Sequence, residues 1–158
     1  MIKNKKTVYL DTTIPSYYFD NRESMITWQV ATQQWWQNEK QNYHLFISDV
    51  TLTELSEGSY PNKNSVIELI KNIEVLPINE EIYNIAERYV KEKLMPKELE
   101  GDAAHLAYAS FYKIDFLMTW NCNHLANANK FEHIQIINTK LKLFVPLLIT
   151  PLQLMEEN

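Results

Sequence analysis

Three carboxylates stand where apolar patterning gives way: Asp11 behind Val8-Tyr9-Leu10, Glu54 between Leu52 and Leu55, and Asp102 behind Gly101 at the head of a long apolar stretch. Hydrolysis of a phosphodiester by Mg2+ needs several such oxygens converging from different elements. This hard cation takes a few carboxylates and keeps waters, one of which can act as nucleophile. Two ions about 3.5–4 Å apart can stabilise both the attacking and the leaving oxygen. Each acid also has a plainer role. Asp102 at a helix start would cap it and complement its dipole, worth about 0.5–2 kcal/mol. Glu54 would lie on a solvated helix face. A plain role fits Asp11 least, because a carboxylate behind a buried strand is costly without partners. Asn121 also follows an apolar segment, where a turn role is open to it.

The elements that must position these residues are legible as alternating patterns. Strands are predicted at Val8–Leu10, His44–Ser48, Glu74–Leu76, Asp115–Trp120 and Leu147–Ile149 from β-branched and aromatic content. Asp11-Thr12-Thr13 reads as a turn. A helix is expected from Ser24 to about Lys40, with Met25, Trp28, Ala31 and Trp35 near one face. Asp49 is expected to cap a helix that carries Glu54 and stops near Gly58. Further helices are predicted around Ser65–Lys71, Glu80–Leu94, Gly101–Tyr112 and Lys130–Leu143. The second of these has apolar residues at Ile82, Ile85, Ala86, Tyr89 and Val90, the strongest helical signal in the chain. The stretch from Gly101 is apolar nearly all round, hence central and buried. Charged loop sequence spans Lys91–Glu100, a polar turn Asn121–Asn129, and a terminal turn follows Pro151. Strands alternating with helices imply an α/β fold, a central mostly parallel sheet flanked by helices on both faces. Ligands of such sheets bind beyond the carboxyl ends of the strands, near a switch in strand order. Asp11 and Asn121 both fall at predicted strand ends of that kind.

Four segments occur in order: Val8-Tyr9-Leu10-Asp11-Thr12-Thr13, Thr51-Leu52-Thr53-Glu54-Leu55, Gly101-Asp102-Ala103-Ala104-His105-Leu106-Ala107, and Phe116-Leu117-Met118-Thr119-Trp120-Asn121. Together they resemble the PIN domain, the metal-dependent ribonuclease fold of VapC toxins in type II toxin–antitoxin pairs. The resemblance covers roughly residues 7–125, and Thr150-Pro151 also fits it. It implies one PIN-like domain over residues 1–158, an endoribonuclease using Mg2+ or Mn2+, and a metal-activated water that attacks phosphorus. By position, Asp11, Glu54 and Asp102 match the family's acidic metal ligands. Asn121 stands where the family usually has Asp, keeping a carbonyl oxygen for metal or water but removing a charge. Thr13 matches a Ser/Thr that orders the carboxylates or a water. The implied partners are an RNA substrate, a cognate antitoxin protein and a second copy of the chain.

Composition narrows the alternatives. The 158 residues carry 20 acids against 15 bases, a formal charge of −5, which argues against nucleic-acid binding mainly through a basic surface. Gly58 and Gly101 are the only glycines, so neither a GxGxxG nor a P-loop can be written. The lone Cys122 excludes an internal disulfide and a Cys-based zinc framework, and fits a reducing cytoplasm. No apolar run is long enough for a signal peptide or a membrane span, so no membrane association is expected. His105, one helical turn beyond Asp102, reads as a satisfied core histidine or as a group orienting the carboxylate. Cys122, His124 and His133 fit no common zinc spacing, and Asp115, at the far end of its strand, reads as structural. Lys91, Lys93 and Lys97 are either a solvated face or a track for phosphates. Tyr17, Tyr18, Phe19, Trp28, Trp35 and Trp36 suit either the core or a partner groove. Two rivals remain: a PIN-fold binding module weakened by Asn121, and a phosphatase with an aspartyl nucleophile. The latter needs an Asp where Thr13 stands.

Overall fold

The computed structural model describes residues 4–97, 100–123 and 125–156. Five strands form one sheet in the order β3-β2-β1-β4-β5, with every neighbouring pair parallel. They are β1 (Lys6–Leu10), β2 (Tyr43–Ile47), β3 (Glu74–Val75), β4 (Phe116–Met118) and β5 (Leu147–Ile149). The helices are α1 (Thr13–Tyr18), α2 (Ile26–Asn38), α3 (Asp49–Ser56), α4 (Lys63–Ile70), α5 (Glu80–Lys91), α6 (Glu100–Phe111) and α7 (Ala128–Lys140). The strand order reverses between β1 and β4, which makes their carboxyl ends the switch point.

Period-two alternation along the strands sends side chains to two cores. Tyr9, Phe46, Leu117 and Leu148 face a core built with α5, α6 and α7. Val8, Leu10, Leu45, Ile47, Met118 and Ile149 face a second core with Ile14, Ala31, Trp35, Leu55, Val66 and Ile70. Both sheet faces are therefore covered, as a parallel sheet requires. Helix α6 is buried over Ala103–Ser110, in line with its all-round apolar sequence.

Several local expectations need correction. The turn expected at Asp11–Thr13 leads directly into α1, whose Ile14 and Pro15 are buried. Pro15 falls in the first turn, where its missing N–H has no intrahelical partner to lose. Helix α2 begins at Ile26 after a short 3-10 turn at Glu23–Met25. Its buried residues are Ala31, Thr32, Trp35 and Trp36, while Trp28 is exposed. Asp49 is not the cap of α3. Ser48 is, accepting the Val50 N–H, and Asp49 is the first helical residue. The Asp49 carboxylate instead accepts the Tyr83 hydroxyl at 3.0 Å and the Tyr108 hydroxyl, which ties α3 to α5 and α6. The aromatic question divides: Trp35 and Trp36 belong to the core, Tyr17, Tyr18 and Phe19 pack partly against it, and Trp28 stays outside.

Asp115 closes the opposite end of the sheet. Its Oδ2 accepts the Thr7 N–H at 2.9 Å and the Thr7 hydroxyl at 3.1 Å, while its own N–H donates to Thr7 Oγ1 at 2.9 Å. These bonds lock the first rungs of β1 against β4 and so set the level at which both strands exit. Asp115→Ala leaves the Thr7 donors without their acceptor, and a loss of about 1–3 kcal/mol is expected. Urea unfolding checks this as a lower midpoint at unchanged slope.

Candidate active site

The register of β1 on β4 pairs Leu10 with Met118, which sets Asp11 level with Thr119 one step past both strands. The Asp11 N–H still donates to the Met118 carbonyl at 3.2 Å, so the residue is held as firmly as the strand. Its side chain is only 1% exposed. Oδ1 accepts the Thr13 N–H at 3.0 Å and the Thr13 hydroxyl at 2.5 Å, and Oδ2 accepts the Thr119 hydroxyl. Both hydroxyls are anchored in turn. Thr13 Oγ1 accepts the Trp120 N–H at 2.9 Å, and Thr119 Oγ1 accepts the Asn121 N–H at 2.9 Å. The chain leaving β4 is thus clasped to the chain leaving β1 through one carboxylate. Burial pushes the Asp11 carboxyl above its usual range, against the opposing pull of His105 and the hydroxyl donors.

Glu54 lies in the last turns of α3, with its side chain 40% exposed. Its Oε1 accepts His105 Nε2–H at 2.7 Å and the Thr12 hydroxyl at 3.1 Å. Desolvation raises the Glu54 carboxyl, but the His105 hydrogen bond and charge outweigh it, and the group sits below its ordinary range. His105 is 2% exposed. Burial alone would favour the neutral ring, yet Glu54, Asp11 and Asp102 together raise it above its ordinary value. Glu54 touches the imidazole directly, while Asp11 and Asp102 act on it through their charge. His105 is therefore both a buried, satisfied histidine and a group that orients a carboxylate. Gly101 completes the contact: a Cβ there would lie 3.3 Å from Glu54 Oε2. That close approach brings α6 and Asp102 against α3.

Asp102 Oδ2 accepts Asn121 Nδ2–H at 2.6 Å. Asn121 thus turns an amide donor to the carboxylate. The structure therefore brings together all five residues expected from the sequence: Asp11, Thr13, Glu54, Asp102 and Asn121. Thr12, Thr119, Tyr9 and Ser48 are additions. Only the Thr-x-Asn spelling of Thr119-Trp120-Asn121 hinted at Thr119, and Tyr9 looked like an ordinary strand aromatic. Among the described residues, no three His, Cys, Asp or Glu groups stand close enough to form a ready metal cage. The donor set nonetheless suits a hard cation. It consists of carboxylate oxygens and an amide, and no Lys or Arg among the described residues pairs with Asp11 or Glu54. Cation binding there exchanges partners with the present hydroxyl, imidazole and amide donors. Cys122 is exposed and His124 lies outside the described residues. Beside the site, a groove of about 680 Å3 runs between α5 and α6, with Gly101 in its wall and Lys91 and Lys97 along it. No helix among the described residues is long and apolar enough to cross a membrane.

A five-stranded parallel sheet with acids gathered at its switch point is the architecture of a PIN-like α/β protein. No family model matches the sequence, and no curated protein matches it. Solved structures do. A chain of VapBC2 from Rickettsia felis, crystallised bound to a DNA fragment from its promoter, shares 15% identity at a TM-score of 0.59. That match covers 91% of this chain and 98% of the other. A chain of VapBC-1 from nontypeable Haemophilus influenzae shares 20% identity at a TM-score of 0.54, covering 92% of this chain and 98% of its own. At these identities the likeness is one of fold, and it establishes the PIN-like fold.

A raised carboxyl pKa means that the ionised Asp11 is less favoured in the folded chain than in the unfolded one. Its contribution to folding is therefore best below the unfolded value of about 3.9 and declines as pH rises through the folded value. Asp11→Asn removes that unfavourable charge while keeping an oxygen for the Thr13 donors. Its melting temperature in EDTA at neutral pH is expected to exceed that of the wild type, by a margin that shrinks as pH falls. Differential scanning fluorimetry across pH measures both.

Proposed function

We propose that this chain is a VapC-like endoribonuclease that hydrolyses RNA phosphodiester bonds with Mg2+ or Mn2+. The observation supporting this reading is that Asp11, Glu54 and Asp102, from three separate elements, are linked at the sheet's switch point by hydrogen bonds through Thr12, Thr119, Asn121 and His105. Asp11, Glu54 and Asp102 would hold the cation, with Asn121 assisting. When bound, the cation supplies positive charge for the phosphate and acidifies a water. Asp11 presents its carboxylate without rotational freedom because Thr13 and Thr119 grip both oxygens. His105 keeps Glu54 ionised, so a negative ligand stands ready at neutral pH. Lys91 and Lys97, set against Glu87 in a largely apolar lining, give the groove a small positive excess toward the phosphates of an RNA strand. The partner in this reading is an antitoxin protein, for which the exposed Ile26 and Val30, four apart on one face of α2, offer an apolar contact. The reading also includes pairing with a second copy and action in the cytoplasm.

A second reading, a PIN-fold binding module with catalysis lost, draws support from Asn121. Its amide occupies an oxygen of Asp102. The discriminating experiment incubates labelled single-stranded RNA with purified protein in Mg2+, Mn2+ or EDTA, beside Asp102→Asn prepared identically. Cleavage that needs metal and vanishes in the variant is expected. RNA bound but uncut by both proteins would instead favour the binding module.

Asn121→Asp adds the discriminating detail, because it sets a second carboxylate where an amide now donates to Asp102 at 2.6 Å. Like charges at that spacing oppose joint ionisation. A melting temperature about 2–4 °C lower in EDTA is expected for each kcal/mol of repulsion, with recovery on adding Mn2+. Cleavage by this variant should not exceed that of the wild type; a large gain would identify the natural site as degenerate.

A further inference from the structure

We propose that Tyr9 and His105 are positioning residues for Glu54: the Tyr9 hydroxyl pairs with the far imidazole nitrogen, and so holds the ring with its other N–H aimed at the carboxylate. The effect on cleavage rests on the nuclease reading; the donor geometry does not.

His105 is cut off from water, so its ring nitrogens depend on protein partners. Nε2 faces Glu54 Oε1 at 2.7 Å and the Thr12 hydroxyl at 3.4 Å. An ionised carboxylate only accepts, so Nε2 must carry a hydrogen. In the neutral ring Nδ1 is then a bare acceptor, and its partner must donate. That partner is the Tyr9 hydroxyl at 2.6 Å. The Tyr9 oxygen can itself accept from the Ser48 hydroxyl at 2.6 Å, and Ser48 Oγ accepts the Val50 N–H at 3.2 Å. Every donor in this chain points the same way, from α3 through β1 and α6 back to α3. In the charged ring Nδ1 donates to the Tyr9 oxygen, and the tyrosine proton turns to Ser48 or to Thr51 Oγ1 at 3.4 Å. A hydroxyl serves both states. A carbonyl in its place would hold a hydrogen on Nδ1 and strip Nε2 of its own in the neutral ring.

The path also explains why three elements keep a common origin. Tyr9 lies two residues before Asp11, His105 lies three after Asp102, and Ser48 caps the helix that carries Glu54. Partners that orient a ligand in this way typically change metal affinity or activity about 10–100-fold when removed.

The test uses the full chain labelled with 15N, without metal, and reads the His105 ring nitrogens by NMR, assigned with His105→Gln. Wild-type protein should show a protonated Nε2, and Tyr9→Phe, which leaves Nδ1 without its partner, should shift the Nδ1 signal. In Mg2+, Tyr9→Phe should lower kcat on a labelled single-stranded RNA about 10–100-fold with KM little changed. His105→Gln, which keeps an N–H for Glu54, should retain more cleavage than His105→Leu. Unchanged nitrogen signals in Tyr9→Phe, or changed signals with undiminished kcat, would overturn the proposal. If Tyr9→Phe does not fold, equal activity of the two His105 variants overturns it instead. If the wild type cuts no RNA, the nuclease reading fails, and the nitrogen signals alone decide the relay.

Discussion

A carboxylate buried at the exit of the central strand imposes the conditions that the surrounding chain meets. Asp11 lies out of reach of bulk water, and an ion in that position is tolerated only with donors on both oxygens. Thr13 and Thr119 supply them, and each hydroxyl is itself held by a backbone N–H from the chain leaving β4. The requirement to stabilise one charge therefore joins the ends of β1 and β4, and that junction is the sheet's switch point. Burial still raises the Asp11 carboxyl despite these donors, and a bound cation would lower it.

Around this junction the two faces of the sheet contribute differently. The face bearing α1 to α4 supplies Thr12, Thr13 and Glu54, and the opposite face supplies Asp102 and His105 through α6. Contact between the faces at the site depends on the absence of a side chain at Gly101, where even a methyl group would crowd the Glu54 carboxylate. Asp49 reinforces the arrangement from the side, holding tyrosine hydroxyls from both α5 and α6. Asp11 and Glu54 are thus held by neutral hydroxyls and one imidazole, and among the described residues neither pairs with lysine or arginine. That choice leaves these two carboxylates available to a hard cation, because no described lysine or arginine competes for their oxygens.

Much of this was legible from residue order. The five strands, the long helices and the parallel sheet followed from alternation and apolar periodicity, because covering both faces of a sheet leaves a continuous apolar signal. The acidic positions were legible because each interrupted such a signal. Helix α1 was not, since Thr13, Pro15 and two tyrosines have weak helical preference and only packing of Ile14 against the sheet secures it. The cap of α3 was misassigned for a related reason: Ser48 and Asp49 are both good cap residues, and the exit direction of β2 decides between them. Trp28 was left open between core and partner groove, because helical spacing alone cannot say where a stripe ends.

Sequence order alone therefore settled which acids stand at element ends, since that depends only on local patterning read along the chain. It could not settle what those acids touch. Thr119, Tyr9 and Ser48 are ordinary residues until Leu10 pairs with Met118 and α6 packs beneath the sheet. Hydrogen bonds spanning 108, 96 and 51 positions of the chain, Thr119 to Asp11, Tyr9 to His105 and His105 to Glu54, arise from that packing. Directional bonds need fixed atoms within about 3 Å, and only the closed sheet with its helices fixes them.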